Sequence, residues 1–407
     1  MKVLFIFDSD YPWDIRVEKI CDTLTANGCD VHLVCRNEKR CSPEDTYQGT
    51  KIHRIGLPKW IPQWLNSVVT FPVFFNPLWF FQIFRTIRRH GMQIVIVRDL
   101  PVALAAVAAS RLCGVPVVLD MAECYPELLR AVWKFEPVKI LNAFVRNPIL
   151  ADLIERITLH SVNHTLVVVE EARERLIQLG IDKVAISLVS NTPHPDRFAE
   201  APASFPGSLE VQRGKFILMY VGFVNYSRGL DIIVQALSRF VEDTKRVHLV
   251  LVGSGNAVTH LKDLVRRLQL EAFVSFEGWV ENSLIPKYIA SADVCLIPHR
   301  KCTHWDNTIP NKLFDYMAAS KPVLASDVTP MKRIVSQVQC GLIYKDDDPN
   351  DCFAQLLKLK DETFRKSLGD RGVQAVAECY NWGMDAPRLM RGLQSSLVQH
   401  GDNNHPV

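Results

Sequence analysis

The sequence predicts an α/β protein built from two Rossmann-like domains facing a central cleft, and three observations predict it. Short β-branched runs alternate with helical patterns along most of the chain. The alternation stops once, between Asn191 and Gly214, where Pro, Ala and polar residues show no sustained period, and then restarts. A chain of 407 residues is long enough for two domains that each bury a core.

The elements follow in order. Val3–Phe7, Val31–Cys35, Ile94–Val97, Val115–Asp120 and Thr165–Val169 read as buried parallel strands. The first helix shows Val17, Ile20, Cys21 and Leu24 on one stripe, with Asn27-Gly28 as its stop. After the break come strand Phe216–Val221, a helix from Leu230 to Phe240, strand Val247–Val252, a helix through Leu261 to Leu268, and strand Val294–Ile297. Further strands are expected near Pro322–Ala325 and Leu342–Tyr344. The expected division is residues 1–195, residues 196–384, and a last helix with a polar tail over 385–407.

Composition bounds the function. Apolar residues at 48% and charged residues at 22% describe a globular protein, and a net charge of +3 does not call for a nucleic-acid partner. The 11 cysteines lie scattered in apolar runs without metal or redox spacing, so they read as reduced core residues. The start MKVLFIFDSDYPWD has a short apolar run followed by acids, a first strand rather than a signal peptide, and the expected compartment is the cytoplasm. Asp346-Asp347-Asp348 is a triplet that could hold a metal, but it sits in a polar loop and reads as a solvated turn.

Doubly wound domains bind ligands at the carboxyl ends of their strands. That fold alone admits a phosphorylase, a nucleotide-sugar epimerase or a binding protein as readily as a transferase. Two segments narrow the choice. From Tyr220 to Asp231 a strand runs into a loop with Gly222 and Gly229 at its ends and Arg228 beside a helix start, an arrangement suited to phosphate. From Thr308 to Ala325, Pro310 and Asn311 start a helix whose first turn holds Lys312, an unfavourable place for a cation unless an anion binds there. Asp315 follows one turn later, where a carboxylate could accept hydrogen bonds from ribose hydroxyls.

The segment PNKLFDYMAASKPVLASD resembles the donor-binding motif of family 4 glycosyltransferases, whose pattern is two glutamates separated by seven residues. Asp315 falls on the second acid and Asn307 on the first. The loop from Gly222 to Gly229 is similar to the family's GRxxxxKG loop, with Arg228 on its lysine and Phe223 where a second cation is common. FEGWVENSLIPKYIASADVCLIP resembles the base-binding strand and helix and puts Val280 near the nucleobase. DIRVEK and VVLDMAECYPE resemble the acceptor-side loops, with Glu123 among the substrate-binding residues and Ala122 where many members carry histidine. VVVEEARERLIQLGI, LVSNTPHPDRF and a last helix after Tyr380-Asn381-Trp382 extend the likeness over nearly the whole chain.

The resemblance implies a GT-B fold and a retaining, metal-independent transferase that moves a sugar from a nucleotide-diphosphate sugar to a saccharide acceptor. It implies no cofactor and no metal. Arg228, Lys312 and the backbone N–H groups around Pro310, Asn311 and Leu313 would stabilise the leaving diphosphate. With Ala122, Phe223 and Asn307 off the family pattern, an inactive partner or regulatory subunit remains the alternative.

Trp64 to Phe84 is 21 residues of apolar and aromatic character followed by Arg85, Arg88 and Arg89, and no acid occurs from Gln48 to Arg98. Pro72 and Asn76-Pro77 argue against a spanning helix. An interfacial element and a core helix with its loop are the two readings. Ala131 to Ile154, with Trp133, Lys134, Lys139 and Arg146, is a second interfacial candidate. An interfacial element would make the enzyme peripheral on the inner face of the membrane, with a polyprenyl-linked acceptor; a soluble acceptor is the other outcome.

Overall fold

A computed structural model of the protein describes residues 1–72, 74–135, 147–198 and 206–404. Lys139 and Arg146, and residues 199–205 of the expected break, lie outside the described residues. The chain divides into two compact units. One comprises Met1–Arg130, Val138–Ser190 and Asp385–Val407, and the other Ala131–Pro137 and Asn191–Met384.

The first unit holds, among the described residues, an eight-stranded sheet. Its strands are β1 (Lys2–Phe7), β2 (Asp30–Arg36), β3 (Glu44–Tyr47), β4 (Thr50–Ile55), β5 (Ile94–Arg98), β6 (Val117–Met121), β7 (His164–Val167) and β8 (Ile186–Leu188), in the order β3-β4-β2-β1-β5-β6-β7-β8. All neighbours are parallel except β3 and β4, a hairpin absent from the sequence expectations. Its residues Glu44, Asp45 and Thr46 are exposed, so the strand has no apolar alternation to betray it. The first helix spans Ile15–Ala26, capped by Asp14, and its Val17, Ile20, Cys21 and Leu24 are fully buried.

The stretch from Trp64 to Phe84 is not one helix. It is divided between a helix over Gln63–Val69 and another over Pro77–His90, whose start is set by Asn76 accepting from Leu78 N and by Pro77 at the first position. The second helix buries Trp79, Ile83 and Ile87 on one face while Phe81 and the three arginines Arg85, Arg88 and Arg89 are exposed. One face of the second helix is core, as one of the two readings expects, and the other carries exposed aromatic and basic side chains. Among the described residues no helix is long and apolar enough to cross a membrane.

The second unit carries, among its described residues, a six-stranded parallel sheet: β9 (Phe216–Val221), β10 (Val247–Val252), β11 (Val274–Gly278), β12 (Val294–Ile297), β13 (Val323–Ser326) and β14 (Gly341–Tyr344), ordered β11-β10-β9-β12-β13-β14. Every side chain of β10 and β12 is buried, and Leu218, Ile233, Leu237, Phe240, Leu249, Leu251 and Leu296 belong to one core. In chain order this is the 3-2-1-4-5-6 arrangement, which reverses between β9 and β12. In folds of this kind ligands bind in the crevice outside the carboxyl ends of the strands at that reversal.

The cysteines are only partly core residues. Cys21, Cys35, Cys124, Cys295, Cys340 and Cys352 are buried, whereas Cys41 and Cys379 are exposed, and all 11 are free thiols.

Candidate active site

The loop after β9 begins at Gly222, whose N–H donates to Val252 O at 2.9 Å. It ends in a short turn over Tyr226–Arg228 and at Gly229, which starts the helix Leu230–Asp243. Gly229 has φ +61, and a Cβ there would lie 2.1 Å from Pro298 O, so no other residue fits without moving backbone. Pro298 follows β12, and this close approach joins the loops on either side of the reversal point.

Arg228 sits in that joint. Its Nη1 donates to His299 Nε2, and its guanidinium lies 4.4 Å from the centre of the Trp305 ring. Trp305 in turn meets His299 edge-on at 4.4 Å between ring centres. Burial first, and the charge of Arg228 second, push the His299 imidazole well below its usual pKa, so it is a neutral acceptor. Arg228 is thereby a cation held in one place.

Lys312 opens the helix Asn311–Ala318, which follows Pro310 and has no side-chain cap. The residue is half-buried, but its ammonium end is enclosed: Nζ lies 4.1 Å from the centre of the Tyr220 ring and 2.8 Å from where a Cβ on Gly222 would stand. Tyr220 OH donates to Phe223 O at 2.6 Å, and Val221 N donates to Tyr316 OH at 3.0 Å, so the loop is fastened beneath the lysine. Burial first, then the charge of Arg228, depress the Lys312 pKa well below the ordinary lysine range. Two cations and two helix starts without side-chain caps thus lie together at the reversal point, and Asp315 is the acid whose charge bears on Lys312.

The other expected residues take distinct places. Asp315 is buried one turn along from Lys312, and its carboxylate lies 3.7 Å from Arg197, which also donates to Asn282 Oδ1 at 3.1 Å. Asn307 is buried in the turn Trp305–Asn307, and its amide donates to Thr303 O at 2.7 Å. Leu313 is fully buried and anchors the helix start, where its N–H donates to Pro310 O. Val280 follows β11, with β10 between that strand and β9. Glu123 belongs to the first unit, just past β6, where its N–H donates to Asp99 Oδ1 at 3.3 Å.

Sequence reasoning did not single out His299, Trp305, Tyr220 or Arg197. His299 and Trp305 stand between β12 and the PNK segment, and that placement is the only signal they give. Within DIRVEK, the Arg16 guanidinium holds buried Asp120 from 2.6 Å and donates to Val189 O and Ser190 O. Arg98 holds the other oxygen of Asp120 at 2.9 Å. Burial would raise the Asp120 pKa, but the two guanidiniums outweigh it and hold it below the usual range. The acidic triplet is occupied by the chain itself. Asp346 accepts from Lys301 N, Asp347 pairs with Arg300, and Asp348 caps the helix Pro349–Lys358.

Residues 14–192 match the family model for a glycosyl transferase 4-like domain, and residues 215–362 match that for glycosyl transferases group 1. The chain belongs to the GT4-like glycosyltransferase family. Its GT-B fold is shared with sucrose-phosphate synthase from Thermosynechococcus elongatus, at a TM-score of 0.77 and 16% identity, over 98% of this chain and 99% of that one. An Anabaena protein, HepE, solved in complex with UDP-glucose, matches with a TM-score of 0.70 and 14% identity over 97% of this chain and all of that one. In sequence, the family member D-inositol 3-phosphate glycosyltransferase of Thermomonospora curvata is 25% identical over 242 residues, 54% of either chain. The chain spans about half the length of the curated relatives it matches.

Proposed function

We propose that this GT4-like glycosyltransferase transfers a sugar from a nucleotide-diphosphate sugar to a saccharide or other hydroxyl acceptor, with retention and without a metal. The observation that carries the reading is the pairing of Arg228, fixed by His299 and Trp305, with Lys312, whose buried charge lacks a full counter-ion. A diphosphate between them would relieve that burial, and the complex of HepE with UDP-glucose supports a ligand of this kind.

In the proposed reaction the bond from the anomeric carbon to the diphosphate oxygen breaks, and its electron pair stays on the leaving phosphate. The acceptor oxygen forms the new bond on the same face, and its proton passes to the leaving phosphate oxygen. Arg228, Lys312 and the N–H groups at the two helix starts gain interaction energy as the phosphate gains charge. Asp315 holds the donor ribose, Val280 lies by the base, Asn307 contacts the donor sugar, and Glu123 is a substrate-binding residue of the first unit. Because the phosphate takes the proton, Ala122 in place of a histidine is compatible with turnover.

A lipid-linked acceptor is the finer part of this proposal. Trp60 at 81% exposure, Trp64 at 67% and Phe81 at 63% stand near exposed Arg85, Arg88 and Arg89 in sequence, which suits peripheral attachment to an anionic membrane. Sedimentation with anionic vesicles tests it, and binding that survives Trp64→Ser with Phe81→Ser counts against it.

The transfer itself is tested by a thermal-shift panel of nucleotide sugars, followed by single-turnover rates of Arg228→Ala and Lys312→Ala with the donor that binds. Each variant is expected to lose about a hundredfold in rate and less in ground-state affinity. Near-normal rates in both would overturn the assignment. Tight binding without turnover in the unaltered protein would make it an inactive partner subunit.

A further inference from the structure

Three histidines far apart in sequence meet at one place in the first unit. His32 lies on β2 and His53 on the adjacent β4, and both are buried; His90, half-buried, is the last residue of the helix Pro77–His90. One nitrogen from each ring lies within 4.8 Å of the others. The ring centres are 5.2 Å apart for His32 and His53, 4.4 Å for His32 and His90, and 5.3 Å for His53 and His90.

Two of the three rings turn their second nitrogen towards a carboxylate. His32 Nδ1 faces His53 Nε2 at 2.9 Å. His32 Nε2 then faces Asp30 Oδ1 at 3.5 Å, and His53 Nδ1 faces Glu44 Oε1 at 3.9 Å. Inward nitrogens with outward carboxylates are the arrangement by which ligating histidines have their tautomer and orientation fixed. Tetrahedral bonds of about 2.0 Å separate neighbouring nitrogens by roughly 3.3 Å, so the three rings would close around a bound ion.

We propose that His32, His53 and His90 bind a divalent metal that favours imidazole, with Zn2+ as the ion of best fit. Three protein ligands leave a fourth position open. It faces a cavity of about 170 Å³ lined by His53, His90, Glu44, Arg54, Arg85 and Arg89. Three arginines beside a cation call for an anionic fourth ligand, which a small anion from solvent supplies. The metal fastens the end of the Pro77–His90 helix to β2 and β4. It lies outside the donor crevice and is independent of the transfer reaction.

The test uses the untagged full chain, stripped with EDTA and titrated with Zn2+ against a colorimetric chelator. One equivalent is expected to bind and to raise the melting temperature. His53→Gln and His90→Gln should each weaken binding at least tenfold and abolish the rise. If His53→Gln fails to fold, His90→Gln at the helix end still decides the matter. A Cys41→Ser, Cys379→Ser variant, lacking the exposed thiols, should keep its equivalent of zinc. The proposal is overturned if no stoichiometric zinc binds, or if zinc is lost from the thiol variant and kept by His90→Gln. Binding of the nucleotide, measured with and without EDTA, should be the same, which separates this result from any result at the donor crevice.

Discussion

Arg228 and His299 are joined by a hydrogen bond in which the guanidinium donates and the imidazole Nε2 accepts, so the ring proton sits on Nδ1 and the pair acts as one fixed cation. In the proposed transfer His299 touches none of the reacting atoms and acts through Arg228, as a positioning residue. His299→Ala should therefore lower kcat about tenfold with a smaller change in KM, because the charge persists but its orientation is lost. His299→Gln, whose amide oxygen can accept the same bond, should recover most of the rate. A loss of equal size in both variants would show that the histidine acts in another way.

The close approach of Gly229 to Pro298 O sets a second expectation. Gly229→Ala should destabilise the second unit by about 2 kcal/mol or more, from left-handed backbone strain and the clash together. Gly180→Ala is the comparison: φ is +87 but nothing lies within 4 Å, so about 1 kcal/mol is expected. Urea unfolding gives both values. Nucleotide affinity should fall in Gly229→Ala alone.

Lys312 links donor binding to protons. Its folded pKa is depressed, so between that value and the ordinary lysine value of about 10.4 the free protein leaves the amine neutral. A bound diphosphate favours the ammonium form. Binding in that window should take up a proton, seen in calorimetry as a heat that varies with the ionisation enthalpy of the buffer. Lys312→Met should remove the dependence. A buffer-independent heat throughout the window would contradict the enclosure of the ammonium.

His164 and His248, each buried on a strand next to its sheet's edge and bonded through Nε2 to a serine hydroxyl at 2.8 Å, are pushed down to about 4, chiefly by burial. The unfolded chain binds a proton below about pH 6.5 and the folded chain does not. Stability is therefore full above pH 6.5 and falls as pH drops towards 4, by at most roughly 3 kcal/mol for each residue. Denaturant midpoints across this range should fall less steeply in His164→Gln and in His248→Gln. An unchanged slope would show that these rings are not desolvated.

Much of this was legible in the linear chain, because the relevant signals are local. Runs such as Val247–Val252 and Val294–Ile297 are buried on both faces of a parallel sheet, and that burial calls for a near-continuous apolar run. Glycine and proline at the starts of the helices after β9 and before β13 likewise declare themselves, since each fixes its own backbone. Arg228, Lys312 and Asp315 could be singled out because they sit at fixed offsets from those marks.

What the sequence could not contain was any relation between residues that neighbour one another only across strands. The strand order that brings β12 beside β9 places His299 and Trp305 around Arg228, and Tyr220 beneath Lys312. It also turns two surface-looking cations into enclosed ones. The first unit shows the same limit. His32, His53 and His90 share no spacing rule, and their meeting is decided by the parallel register of β2 with β4 and by where the helix Pro77–His90 ends. Local sequence selects conformation through forces that act within a few residues, whereas charge burial, hydrogen-bond partners and ligand sets depend on which strands the folded sheet makes adjacent.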